Sequence, residues 1–208
     1  MHAWVAALLL AGGVTGAQAA LEARDLNHDG NIDAYYDSAQ NITVTADANL
    51  PATLGVFIDP AMPGALTWQA ATDWAAGLDL LGATGWRLPK VLSFQCLDHV
   101  HYCYPTRSEL SALPDFALFT NGSANAMYWL GTLYSDDINV NHAGVFVFPD
   151  GHDHTDELSL LLNVWAVHDG DVTAVPEPSA WAALLAGLAL LAGLRAMRRR
   201  AEPMPLRG

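Results

Sequence analysis

Apolar and polar positions along this chain fall into patterns that name its elements before any chemistry is considered. Ala34-Tyr35-Tyr36-Asp37 and Asn41-Ile42-Thr43-Val44-Thr45 are β-branched and aromatic runs around Ser38-Ala39-Gln40, which predicts two short strands joined by a turn. A Pro- and Gly-rich stretch from Asn49 to Gly64 then reads as a loop. Leu66, Ala70, Trp74, Ala75 and Leu78 recur at helical spacing behind Thr67, a residue placed to cap a helix, so an amphipathic helix with its aromatic face in the core is expected. Farther on, Gly144 to Phe148 reads as a strand, Asp150-Gly151 as a hairpin turn, and the region around Leu158 to Leu162 as the returning strand.

Both ends of the chain are apolar in a different way. Ala3 to Leu10 is followed by small residues and Ala17-Gln18-Ala19, the pattern of a secretory cleavage site, although only His2 stands where lysine or arginine is usual. Near the other end, Ala180 to Leu194 is a run of 15 residues without charge. As a helix it spans roughly 22 Å, against the about 20 residues that a permanent span usually needs. Arg195, Arg198, Arg199 and Arg200 follow, and such a cluster holds the extreme C-terminus in the cytoplasm and everything before Val175 outside.

The order Pro176-Glu177-Pro178, apolar run, Arg198-Arg199-Arg200 resembles the PEP-CTERM sorting signal. That resemblance implies an exosortase-type processing enzyme as partner, transient insertion in the membrane, and removal of the segment during export through the inner membrane to the cell surface or beyond. The alternative is an ordinary C-terminal anchor behind a proline-containing linker. The expected organisation is therefore a signal peptide at 1–19, one domain at 20–174, and a sorting segment at 175–208.

Charge narrows the partners. Residues 20–175 carry Arg24, Arg87, Lys90 and Arg107 against 20 of the chain's 22 acids, a formal balance of 4 − 20 = −16. A surface that repels phosphates argues against nucleic acid.

Asp25-Leu26-Asn27-His28-Asp29-Gly30-Asn31-Ile32-Asp33 sets oxygen side chains at relative positions 1, 3, 5 and 9, glycine at 6 for a sharp turn, and Ile32 at 8 to pack inward. It resembles the first nine residues of an EF-hand or dockerin loop, which implies calcium at Asp25, Asn27, Asp29 and Asp33, with the Asn31 carbonyl completing the turn. Position 12 is Tyr36 and Asp37 comes one residue late, so the closing carboxylate is missing and binding is expected to be weak. The same residues also read as an acidic turn between two strands.

Cys96 and Cys103 are the only cysteines, with six residues between them, and an exported chain predicts one local disulfide. His142, His152, His154 and the acids from Asp150 to Glu157 form a second polar cluster. A solvated loop is the expectation there, although His152 and His154 would share a face if the segment were a strand.

Leu66-Thr67-Trp68-Gln69-Ala70-Ala71, Gly85-Trp86-Arg87-Leu88-Pro89, Ser108-Glu109-Leu110, Tyr128-Trp129-Leu130-Gly131-Thr132 and Val164-Trp165-Ala166-Val167-His168-Asp169-Gly170-Asp171-Val172 together resemble the Lcl C-terminal domain-like family. Val44 and His168 depart from it, standing where that family more often has tryptophan and arginine. The resemblance implies an α+β fold related to C-type lectins and to the formylglycine-generating enzyme: a mixed, mainly antiparallel sheet with one or two helices and long loops. Trp86 and Trp165 are expected in the core, and Arg87 beside a carboxylate. The formylglycine-generating enzyme implies an alternative, in which Cys96, Cys103, His99 and His101 serve copper chemistry.

No nucleophile elbow, phosphate-binding glycine loop or HExxH motif is present. The expected function is non-enzymatic: an exported surface or matrix protein with a lectin-like adhesion domain. The alternatives are a copper-dependent enzyme and a purely structural calcium-responsive module. Family members associate with sulfated glycans, but a formal −16 opposes a polyanion and favours a neutral polysaccharide. Tyr102, Tyr104 and Tyr134 are stacking candidates, and Asp136, Asp137 and the 150–157 segment are carboxylates through which calcium could bridge sugar hydroxyls.

Overall fold

The computed structural model describes residues 21–97, 102–123, 125–134, 141–173 and 186–191. The expected signal peptide, the Pro176-Glu177-Pro178 and Arg198-Arg199-Arg200 parts of the sorting segment, Asp136, Asp137, His99 and His101 lie outside the described residues. Residues 186–191 are helical, and no helix among the described residues is long and apolar enough to cross a membrane.

The architecture is α+β and dominated by antiparallel pairing. Among the described residues up to 173, ten strands, β1 (Leu21–Arg24), β2 (Ala34–Asp37), β3 (Ile42–Thr45), β4 (Trp86–Arg87), β5 (Val91–Leu97), β6 (Tyr102–Ser108), β7 (Met127–Tyr134), β8 (His142–Val147), β9 (His152–Glu157) and β10 (Val167–Asp169), accompany two helices, α1 (Leu50–Thr53) and α2 (Trp68–Gly77). They form a five-stranded sheet in the order β1-β2-β3-β10-β4, a hairpin β5-β6, and a three-stranded sheet β7-β8-β9. Placing β10 between β3 and β4 draws the end of the domain into its first sheet, so Val167 pairs with both Val44 and Arg87.

The β2–β3 hairpin forms as its sequence predicts, and the turn is closed by Asp37. Its carboxylate is buried and accepts from the backbone N–H groups of Ala39 and Gln40 and from the Gln40 amide. Helix α2 starts at the Thr67 cap, whose hydroxyl accepts from the Ala70 N–H. Its most buried positions are Ala71 and Ala75, while Leu66 and Leu78 lie just outside the helix and are buried there. The stretch from Asn49 to Gly64 is not wholly loop. Pro51 in the first turn is compatible with a helix start, because that N–H has no helical partner, and the short α1 results.

Three apolar clusters make the core. Trp165 lies in the first, where it meets Phe119 edge-on at 4.7 Å and Tyr128 at 5.3 Å. Trp129 packs in the second with the small face of α2, and Trp86 in the third with Leu26 and Ala34. Each buried indole N–H donates to a main-chain carbonyl: Trp86 to Ala83 (2.8 Å), Trp129 to Leu66 (2.8 Å) and Trp165 to Thr45 (2.9 Å). Burial of these large rings therefore leaves no indole donor unsatisfied.

Arg87 sits at the edge of the five-stranded sheet as the hub of an ion network. It donates to both carboxylate oxygens of the buried Glu109, at 2.7 and 2.9 Å, and to Asp169. Glu109 also accepts from the Lys90 N–H at 2.7 Å. Burial works against the Arg87 cation, but these hydrogen bonds outweigh it and hold the guanidinium above its ordinary pKa.

The second polar cluster departs from the expectation of a solvated loop. Asp150-Gly151 does form the turn, but the returning strand is His152–Glu157, paired residue by residue with β8, and the 158–162 segment contributes only an isolated bridge between Leu66 and Leu162. A four-residue connection after Val147 brings His152 directly opposite it, so the polar residues enter the ladder first. Asp153 then anchors the strand by accepting from the Ser108 and Ser111 hydroxyls at 2.9 and 2.8 Å.

Candidate functional site

The acidic loop at 25–33 takes the tight turn that its glycine anticipates. Asp25 accepts from the N–H of Asp29 (3.1 Å) with one carboxylate oxygen and of Gly30 (2.8 Å) with the other, and Asp29 accepts from the N–H of Asn31 (2.8 Å). His28 (φ 60°) and Gly30 (φ 90°) both adopt the left-handed conformation. The Asn31 N–H and the Asn27 side chain hold Asp29 below the usual carboxylate range. Partial burial pushes Asp33 upward, against the hydrogen bond from Leu26, and the charges of Asp29 and Asp25 push it the same way.

One expectation for this loop is corrected. Ile32 is 42% exposed and does not pack inward; Leu26, at 3%, is the apolar anchor, because its backbone is tied to Asp33. Asp37, one residue late for position 12, has both carboxylate oxygens engaged in the β2–β3 turn. Among the described residues no group of three or more His, Cys, Asp or Glu side chains is arranged to hold a metal ion.

Cys96 and Cys103 are bonded to each other at 2.00 Å across the β5–β6 pair, so neither sulfur is a thiolate for copper. Tyr102 opens β6, and Tyr104 on the same strand is half-buried, with its hydroxyl donating to the Gln95 amide oxygen at 3.0 Å. Tyr134 is not a loop residue: it ends β7, is buried, and its hydroxyl is pushed up to about 12 by burial and by the charge of Asp153. It offers no face for stacking.

The structure instead assembles a polar cleft that local sequence patterns do not announce. Asn49, Ala52, Thr53, Asn121, Gly122 and Ser123 line a hollow of about 430 Å³. Its two walls are joined by main-chain bonds, Ala48 N–H to Thr120 O (2.8 Å) and Thr120 N–H to Ala46 O (2.9 Å). Behind it, Asp47 acts as a clamp: one carboxylate oxygen accepts from the Asn49 N–H at 2.8 Å, and the other accepts from the Thr53 hydroxyl and, at 2.8 Å, from the Asn121 amide. Asn121 adopts φ 58°, a left-handed conformation that asparagine tolerates. Gly122 lies against the Phe148 ring, where a Cβ would come within 2.8 Å of the ring, so only glycine brings that backbone so close.

The lining is thus amides, hydroxyls and small groups, without a charged side chain. A second hollow, of about 460 Å³ at Asn141, Glu157, Leu158 and Ser159, carries a carboxylate. Asp47-Ala48-Asn49 ahead of Pro51 was the available clue, as an Asx turn entering a helix, but nothing local pairs it with a segment 74 residues away.

Compared with known proteins, the chain matches no family model, and neither a curated protein nor a solved structure is similar to it.

Proposed function

We propose that this is an exported cell-surface or matrix protein, processed at its C-terminal sorting signal by an exosortase-type enzyme, whose domain binds a neutral polysaccharide and does not transform it. The domain is a variant of the C-type lectin-like fold. Antiparallel sheets around one substantial helix, long connections, and the burial of Trp86 and Trp165 support that assignment. The cleft at Asn49, Thr53, Asn121 and Ser123 is the observation that carries the binding reading: uncharged donors and acceptors, two of them fixed by Asp47, suit an uncharged ligand rich in hydroxyls. A formal −16 over residues 20–175 disfavours sulfated or phosphorylated chains.

Retention of the protein on immobilised neutral glucan and on heparin at near-physiological salt tests the assignment. Retention on the glucan is expected; strong, salt-sensitive retention on heparin alone would overturn it.

The acidic loop supports a second, compatible reading as a weak calcium site. Its turn already presents Asp25, Asn27 and Asp29 within one tight bend, but it lacks a closing carboxylate, so a dissociation constant on the order of 10⁻⁴ to 10⁻³ M is expected. Calorimetric titration of the wild type and Asp29→Ala should give binding only in the former; equal heats from both return the stretch to an acidic turn.

A further inference from the structure

His152, His154 and Asp156 occupy alternate positions of β9 and so project from one face of the sheet, opposite Val147, Val145 and Ala143 of the neighbouring strand. Asp153, on the other face, is tied to Ser108 and Ser111 and fixes the strand from behind. The rings of His152 and His154 stand 5.9 Å apart, centre to centre, with planes inclined by 33°. Two imidazoles that ligate one ion through nitrogens about 2.1 Å away have centres roughly 5 to 6 Å apart. The pair therefore reaches chelating separation with little movement.

Nε2 of His154 lies 3.9 Å from an oxygen of Asp156. That gap is too long for a hydrogen bond, so Asp156 acts as a nearby negative charge that favours a bound cation. Nδ1 of His154 is enclosed, so Nε2 is the nitrogen open to a ligand.

We propose that His152 and His154 form a two-imidazole site for a late first-row divalent cation, copper(II) or zinc, with water filling the remaining positions. Two protein ligands make this a site of moderate affinity. Imidazole nitrogens without thiolate suit these ions, whereas calcium needs six to eight oxygens. The site is independent of the polysaccharide reading.

Titration of the metal-free full chain with copper(II), and separately with zinc, followed by calorimetry and, for copper, by electron paramagnetic resonance, tests it. A copper(II) site with nitrogen hyperfine coupling is expected. His152→Ala, at an exposed position that leaves the fold intact, should weaken this site roughly 10-fold or more, and His152→Ala/His154→Gln should abolish it. Asp25→Ala should leave it unchanged. Copper and zinc binding that survives the double substitution, or that disappears with Asp25→Ala, would overturn the proposal, as would the absence of binding at millimolar metal.

Discussion

Strand β4, which carries Arg87, and hairpin β5–β6 are separated by only Leu88, Pro89 and Lys90, and both pair antiparallel, yet they are held by different forces. Around β4 the side chains are interior: Trp86 fills the third cluster, and the Arg87–Glu109 pair is nearly shielded from water, with side-chain exposures of 21% and 7%. On β5 the pattern reverses, with Leu92 48% and Phe94 65% exposed, and a covalent bond joins the strand to its partner. A two-stranded ribbon that buries little is marginal in water, so cross-linking does for the hairpin what burial does for the sheet. Body and hairpin should therefore respond to different perturbations.

Trp165→Ala should produce the largest effect, about 3–5 kcal/mol, because it empties the space of a fully buried ring and strands the Thr45 carbonyl. Chemical denaturation followed by circular dichroism measures it. A loss under 1 kcal/mol would mean that the body does not rest on this core. Arg87→Leu comes next: it leaves Glu109 buried without its cation, at a cost of about 3 kcal/mol, and Arg87→Leu/Glu109→Leu should recover much of that loss in the same assay. Failure of the double variant to recover would show that Arg87 acts through Asp169 instead.

Cys96→Ser/Cys103→Ser should cost about 2 kcal/mol, from a short loop, and the effect should be local. Hydrogen exchange is expected to speed up in β5 and β6 while Tyr128, Trp129 and Leu130 keep their protection; uniform acceleration would erase the distinction between hairpin and body. The smallest effect is one of pH. The hydrogen bond from Arg87 is the main cause that holds Asp169 at about 2, below its unfolded value, so the stability it supplies is complete above about pH 4 and is lost as pH falls through 2. Asp169 is largely solvent-exposed and screened, so Asp169→Asn should flatten the acid limb of the stability curve only slightly.

The parts legible in the sequence are those fixed by neighbours along the chain. The β2–β3 hairpin, the Thr67 cap, the Asp150-Gly151 turn and the Cys96–Cys103 bridge each carry their signal within a few residues, and the burial of Trp86 and Trp165 follows from size. What escaped depends on distant partners. Residues 152–157 are too polar to read as a strand until β8 offers a ladder and Ser108 and Ser111 receive Asp153. Tyr134 resembles a loop residue because its burial comes from other strands, and Ile32 yields to Leu26 because a backbone hydrogen bond to Asp33 decides which apolar residue faces inward. The cleft was hidden most completely, since Asp47 joins two segments that no sequence spacing relates.

The cleft belongs to the body and not to the hairpin, which gives the central claim a direct test. Retention on immobilised neutral glucan should be compared for wild type, Asn121→Gly, which removes the amide but keeps the left-handed backbone, and Phe94→Ser on the exposed hairpin face. The account predicts that Asn121→Gly loses most retention with only a small drop in melting temperature, from the lost bond to Asp47, while Phe94→Ser binds as wild type does. Full retention by Asn121→Gly together with loss in Phe94→Ser would place adhesion on the hairpin and contradict it.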